Sequence, residues 1–440
     1  MQTSQIDDGL DEALAKFVDP RGRRDIKFGL ERIKRALKAL GNPQDKIAPA
    51  IHIAGTNGKG STAAFLRQMA EAAGYSVHVF TSPHLFSVNE RIRLAGRLVE
   101  DHELVEALER VEATGEDLTY FEALTAAAFL LFSNISSDLC IIETGAGGAL
   151  DSTNVMKAPA VCVITKIARD HEALFGVSGA VNIASVKAGI MRKGVPVVIA
   201  QQTPAVLDVL QKEATKTGAK PVIAEQDWTE HGDKDAFLYS DVSGDIRAPW
   251  LGLAGEYQKQ NAGVACAAFR ALGLKATAED LAAGLREARW PGRLQQLAPG
   301  PITRGADADI IVDGAHNPNA ARKLAAHIKA RCTGVKKKPC VIVGMQANKD
   351  AKQILSHLIP VADLIIGCPL PSDHGQEGGN GVSPNTLAEL ADDMGGRAQA
   401  ATSLKDALML ATASGAKTIY ACGSLYLAGA ILALNGEAPN

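Results

Sequence analysis

A strand covered on both faces is apolar throughout, whereas a strand with one wet face alternates apolar and polar residues. Runs close to the first kind, with a histidine at 52 and at 78, recur at 51–54, 77–80, 139–142, 160–165 and 195–200. Ala-rich segments lie between them, with apolar residues at helical spacing, as at Ala64, Leu66 and Met69. Buried strands separated by helices predict a mainly parallel sheet in a doubly wound α/β arrangement. The alternation resumes later in the chain. Strand candidates lie at 309–312, 340–344, 363–366 and 417–421, separated by helical segments such as Pro318 to Arg331 and Pro384 to Asp392.

The first run ends in Gly-Thr-Asn-Gly-Lys-Gly-Ser, residues 55 to 61, and a helical segment follows. Strand, glycine loop and helix in that order suit a phosphate-binding loop, in which backbone N–H groups and the helix N-terminus hold anionic oxygens and Lys59 adds a positive charge. The spacing is not that of the common GxxxxGK[ST] pattern, because Gly60 stands between Lys59 and Ser61. The alternative is an ordinary Gly-rich turn, which Lys59 with Ser61 and Thr62 makes the weaker reading.

A chain of 440 residues exceeds what one core supports. The helical pattern stops near Trp290-Pro-Gly-Arg293, and Ala298-Pro-Gly-Pro301 has the composition of a linker. The expectation is a P-loop-type, doubly wound, mainly parallel domain over 1–296 and a smaller Rossmann-like α/β domain over 297–440. The more polar stretch from Ala224 to Trp250 reads as strands or loops at the edge of the first domain.

A net charge of -3 argues against general attraction to nucleic acid or anionic membrane, so a small, specifically held substrate is expected; a monomer is the expectation for assembly. Seven cysteines contain no CxxC pair and sit mostly in apolar runs, which reads as buried thiols in a reducing compartment. The N-terminus is acidic, and no segment reaches the roughly 18 apolar residues of a membrane span, so a cytoplasmic location is expected.

Several candidate residues follow the strands, on the side where open parallel sheets bind ligands. Glu143 ends the 139–142 run and can reach a metal bound to phosphates, or cap the next turn. Ser82, in Thr81-Ser-Pro-His84, offers a hydroxyl to a hard cation such as Mg²⁺, or makes a Ser-Pro turn. His171 and Lys187 follow the 160–165 run and are stronger candidates together than apart. Gln258 and Asn261 lie three residues apart on one helical face, placed to read an adenine edge or a phosphate, or to cap and solvate the helix. Arg293 suits a two-pronged phosphate contact, though a surface arginine is the default. Asp313-Gly-Ala-His-Asn-Pro318 places an acid, an imidazole and an amide before a Pro-started helix.

In order, the motifs GTNGKGS (55–61), TSPHL (81–85), NERI (89–92), YFEALTAAAF (120–129), GGALDSTN (147–154), RDHEALFG (169–176), VKAGI (186–190), EYQKQNA (256–262), WPGRLQ (290–295), DGAHNP (313–318) and CGSLYLAG (422–429) resemble the folylpolyglutamate synthase and dihydrofolate synthase family of Mur-type ligases. The resemblance spans almost the whole chain, and the NERI and TSPH segments separate the folate branch from the cell-wall ligases. It implies an ATP-dependent carboxylate-amine ligase that phosphorylates dihydropteroate or a folate glutamate tail and joins L-glutamate to it, in an active site closed between two domains.

The same resemblance implies that Asn57, Gly58, Lys59, Gly60 and Ser61 hold the phosphates, and that Ser82, Glu143 and His171 ligate Mg²⁺. A monovalent cation such as K⁺ would accompany it. Lys187 matches a carbamylated lysine; an ordinary lysine, with a pKa of about 10.4, would repel a metal, whereas its carbamate is an anion. Lys59, Lys187 and His171 would be catalytic. Asn261, Arg293 and Asp313 would contact ATP. Thr119, Tyr120, Phe121, Glu122, Leu150, Asp151 and Ser152 would hold the pterin part, with His316 also on the substrate side.

The chain departs from the family pattern at Ala149, usually Arg, at Val186, usually Glu, and at Ala168 and Arg169, usually Gly-Leu. Two further readings therefore stand beside the folate ligase. One is a related ligase with a different carboxylate acceptor, and the other is an ATP-binding relative with reduced catalysis.

Overall fold

The computed structural model describes residues 3–17, 29–169, 176–232, 236–304, 307–334, 337–371 and 381–437. The chain forms two compact units, Met1–Leu253 with Tyr257–Trp290, and Ala254–Glu256 with Pro291–Asn440.

In the first unit, β1 (Ala50–Ala54), β2 (Val77–Phe80), β3 (Ile92–Leu94), β4 (Arg97–Leu98), β5 (Leu139–Glu143), β6 (Val161–Ile164), β7 (Pro196–Ile199) and β8 (Lys220–Ile223) form one sheet in the order β4-β3-β2-β5-β1-β6-β7-β8. β1 pairs in parallel with both β5 and β6, while β3 and β4 form an antiparallel edge. Every residue of β1, β2, β5 and β6 is buried, the polar His52, His78 and Glu143 among them. Successive side chains of β1 face opposite sides. Ile51 and Ile53 pack with Phe65, Leu66 and Met69, and Ala50 joins Phe129 and Ile142 on the other face.

The stretch expected as edge strands or loops is a three-stranded antiparallel sheet, β9 (Trp228–Gly232), β10 (Phe237–Asp241) and β11 (Gly244–Ala248). Its Trp228, Phe237, Tyr239, Ile246 and Ala248 enter the core beside the Tyr257–Leu272 helix. β8 was not apparent in the sequence because its first two residues, Lys220 and Pro221, are exposed.

The second unit carries β12 (Gln295–Gln296), β13 (Asp309–Val312), β14 (Cys340–Val343), β15 (Leu364–Gly367), β16 (Ala398–Ala400) and β17 (Thr418–Cys422), ordered β12-β13-β17-β14-β15-β16. All pairings are parallel except that of β12 with β13. The segment Ala298 to Pro301, expected as a linker, is held inside this unit. Asn435 Nδ2 donates to the Ala298 carbonyl at 2.8 Å, and the Ala298 N–H donates to Glu437 at 2.9 Å. Pro and Gly mark a turn, but long-range hydrogen bonds decide whether a turn is tethered.

All seven cysteines are free and six are buried. Burial pushes the Cys140 and Cys162 thiols up to about 12. Among the described residues, no helix is long and apolar enough to cross a membrane.

Candidate active site

β1 delivers the chain to the glycine loop, and the Lys59–Ala72 helix starts behind it with Gly58 as its N-cap at φ 93°. That left-handed backbone favours glycine, and a Cβ there would lie 2.2 Å from Asn261 Oδ1. Gly60 has a different cause. A Cβ on it would meet the Trp290 indole at 2.9 Å, so the glycine that breaks the common pattern is required by packing 230 residues away in the chain.

Behind the loop, the fully buried Gln258 accepts from Asn261 Nδ2 at 2.7 Å and donates toward Ser61 Oγ at 3.3 Å. The two amides thus brace the loop, and Asn261 is oriented by Gln258. The N–H groups of Thr56 and Asn57 both donate to the Lys166 carbonyl, at 3.0 and 3.1 Å. The amides best disposed toward an anion are therefore those of the helix start, from Gly58 to Ser61.

Glu143, buried at the end of β5, brings a carboxylate to this loop. Its Oε1 lies 3.7 Å from Lys59 Nζ, and its Oε2 accepts the Ser82 N–H at 3.3 Å. A carboxylate and a hydroxyl side chain brought together at adjacent strand ends are the oxygen donors that a hard cation takes. His171 lies outside the described residues, and among those described no group of three His, Cys, Asp or Glu is arranged to hold a metal. Lys187 is buried in the last turn of the Gly179–Ala188 helix and donates to the Gly55 carbonyl at 2.8 Å, touching the loop's first residue.

The residues assigned to the acceptor divide into inward and outward groups. Thr119 caps the Tyr120–Asn134 helix, with Glu122 completing the capping box. The Glu122 carboxylate also takes two bonds from Arg32, at 3.2 and 3.0 Å, a partner that 90 positions of separation hid from the sequence. Tyr120 lies under the Arg91 guanidinium, 5.7 Å from the ring centre. A Cβ on Gly145 would touch the Phe121 ring at 2.5 Å. Ser152 shares a 2.7 Å hydrogen bond with Thr125. Asp151 accepts from Ala146 N and from Thr153 N and Oγ1, so its carboxylate builds its own loop. Burial pushes this carboxyl up, and those hydrogen bonds pull it back. Leu150, in contrast, is 53 % exposed. Glu122 and Asp151 are thus framework groups, whereas Leu150 is presented outward.

In the second unit, Asp313 follows β13 and accepts from Leu294 N and Ala315 N, each at 2.9 Å. Arg293 packs across Gly314, where a Cβ would fall 2.3 Å from its Nη1. His316 Nδ1 bonds to the Gly314 carbonyl at 2.8 Å, which makes Nδ1 the protonated nitrogen. Arg293, Asp313 and His316 therefore form one local assembly.

Trp290, Arg32 and Thr153 were not among the expected site residues, whereas Gln258 was a candidate beside Asn261. Trp290 and Thr153 lie within the quoted motifs, whereas nothing local marks Arg32.

Residues 53–269 match the family model of the Mur ligase middle domain, and residues 301–434 match the dihydrofolate synthetase C-terminal domain. The chain is 37% identical over 372 residues to a dihydrofolate synthase/folylpolyglutamate synthase of Bacillus subtilis, covering 79% of this chain and 83% of that protein. It is similar to a solved structure of E. coli FolC in complex with DHPP and ADP, with TM-score 0.85, 30% identity and 96% of both chains covered. It is also similar to a bifunctional folylpolyglutamate synthase/dihydrofolate synthase with Mn, AMPPNP and L-glutamate bound, with TM-score 0.78, 29% identity, and 93% of this chain and 95% of that one covered.

Proposed function

The chain belongs to the dihydrofolate synthase/folylpolyglutamate synthase family of Mur-type ligases, and we propose that it uses ATP to activate dihydropteroate and folate glutamate tails for amide formation with L-glutamate. It is an ATP-dependent carboxylate-amine ligase. A carboxylate oxygen of the acceptor takes the γ-phosphoryl group and ADP leaves. The glutamate amine then attacks the acyl carbon, phosphate departs, and the amine loses its proton.

The observation that carries this reading is the approach of Lys59 and Glu143 at the glycine loop, 3.7 Å apart. Phosphoryl transfer needs positioning and charge stabilisation more than a covalent protein group. We assign Gly58, Lys59, Gly60 and Ser61 to the phosphates, and Asn57 and Asn261 to support of the same loop. Lys187 is assigned to the loop's first residue through Gly55. Ser82 and Glu143, with His171, would hold Mg²⁺, which neutralises phosphate charge when bound. Leu150, Tyr120 and Phe121 are assigned to the acceptor.

Purified protein given ATP, Mg²⁺ and L-glutamate should release ADP with dihydropteroate or tetrahydrofolate. No glutamate-dependent ADP with either acceptor would sink the proposal. A different carboxylate acceptor is favoured by one observation, that the two uncharged departures Ala149 and Val186 lie against each other beside Leu150. ADP release with another acid, and with neither pterin, would select that reading.

A further inference from the structure

His52 occupies the middle of β1, fully surrounded, two residues before the strand ends and the glycine loop begins. Its Nε2 lies 2.8 Å from Thr153 Oγ1, and Thr153 Oγ1 lies 2.6 Å from Asp151 Oδ1. A hydroxyl has one hydrogen, and an ionised carboxylate only accepts. The Thr153 hydrogen therefore goes to Asp151, and His52 must donate Nε2–H to the Thr153 oxygen. Asp151 in turn takes the Ala146 N–H at 2.8 Å and the Thr153 N–H at 3.0 Å, closing the segment 146–153 around its own carboxylate. His52, Thr153 and Asp151 are all at most 4% exposed, so no water competes for these bonds.

We propose that His52 is a positioning residue for the acceptor: through Thr153 and Asp151 it fixes the loop that presents Leu150. This rests on the assignment of that loop to the acceptor under Proposed function. The strand that ends in the phosphate loop also anchors the acceptor loop, so one rigid element sets both reactants' supports. The chemistry required of residue 52 is an N–H donor of the right length, not a titrating group.

The test compares His52→Leu, which fills the space without a donor, with His52→Gln, which restores an N–H. Two readouts are taken: steady-state KM for dihydropteroate and for ATP, and hydrogen exchange of the peptide spanning 146–153. His52→Leu should raise the dihydropteroate KM about tenfold, leave the ATP KM within about twofold, and speed exchange of that peptide about tenfold. His52→Gln should return both readouts close to the parent protein. If His52→Leu does not fold, Thr153→Val breaks the same relay and carries the same expectation. Unchanged exchange, or a parallel rise in the ATP KM, overturns the proposal, as does faster exchange with an unchanged dihydropteroate KM. If the parent protein shows no glutamate-dependent turnover with either pterin, the assignment of function falls, and the exchange comparison alone decides whether His52 holds the loop.

Discussion

The Ala149 N–H donates to the Val186 carbonyl at 3.0 Å, so the two positions read from the sequence as uncharged departures are direct neighbours. Gly189 makes the contact close, since a Cβ there would stand 2.3 Å from that of Ala149. The two departures behave as one site.

Ala149→Arg and Val186→Glu should therefore be coupled. Both positions are half-buried, where an ion pair contributes little. A double-mutant cycle by chemical denaturation should give a favourable coupling of about 0.5–1 kcal/mol. Zero coupling would show that the introduced charges do not meet. The dihydropteroate KM of the double variant tests whether this pair also tunes the acceptor.

Gly60→Ala forces a methyl group into the Trp290 indole, 2.9 Å away. Overpacking of this kind costs about 1–3 kcal/mol. The variant should melt lower and bind ADP more weakly, measured by thermal unfolding with and without nucleotide. Trp290→Leu should relieve part of the loss in the double variant. If it does not, the clash is not the cause.

Lys59→Met removes the loop cation beside Glu143 and leaves that buried carboxylate without this partner. The kcat for ADP release should fall on the order of 10²-fold, as when one transition-state donor is lost. The acceptor KM should change little. A variant retaining kcat would remove Lys59 from the chemistry.

Burial, aided by the nearby Arg192 charge, pulls the His52 imidazole from its ordinary value down to about 3. In the unfolded chain it takes up a proton below about 6.5. Stability is therefore full above pH 6.5 and lost as pH falls from there toward 3, by something on the order of 2 kcal/mol at pH 5. His52→Gln should flatten that part of the pH profile in urea titrations between pH 7 and 5. An unchanged slope would mean that other groups set it.

The strands were legible wherever burial on both faces made the run mostly apolar, as in β1, β2, β5 and β6. β8, which begins exposed, and the short β12 and β16 carried no such signal. Within the site, Lys59, Ser82 and Glu143 were readable because each follows a recognisable strand. The inward roles of Glu122 and Asp151 were not, since a carboxylate in a motif looks the same whether it faces ligand or loop.

By itself the sequence determined the alternation of buried strands with helices, the glycine loop with its lysine, and the family. These depend on residue order and on the periods of helix and strand, which a local window contains. Only the tertiary structure decided why Gly60 is a glycine, that Gln258 reaches Ser61, that Arg32 pairs with Glu122, and that His52 reaches Asp151 through Thr153. Each of those joins segments far apart in the chain, and their partners are set by packing across the sheet rather than by neighbours in sequence.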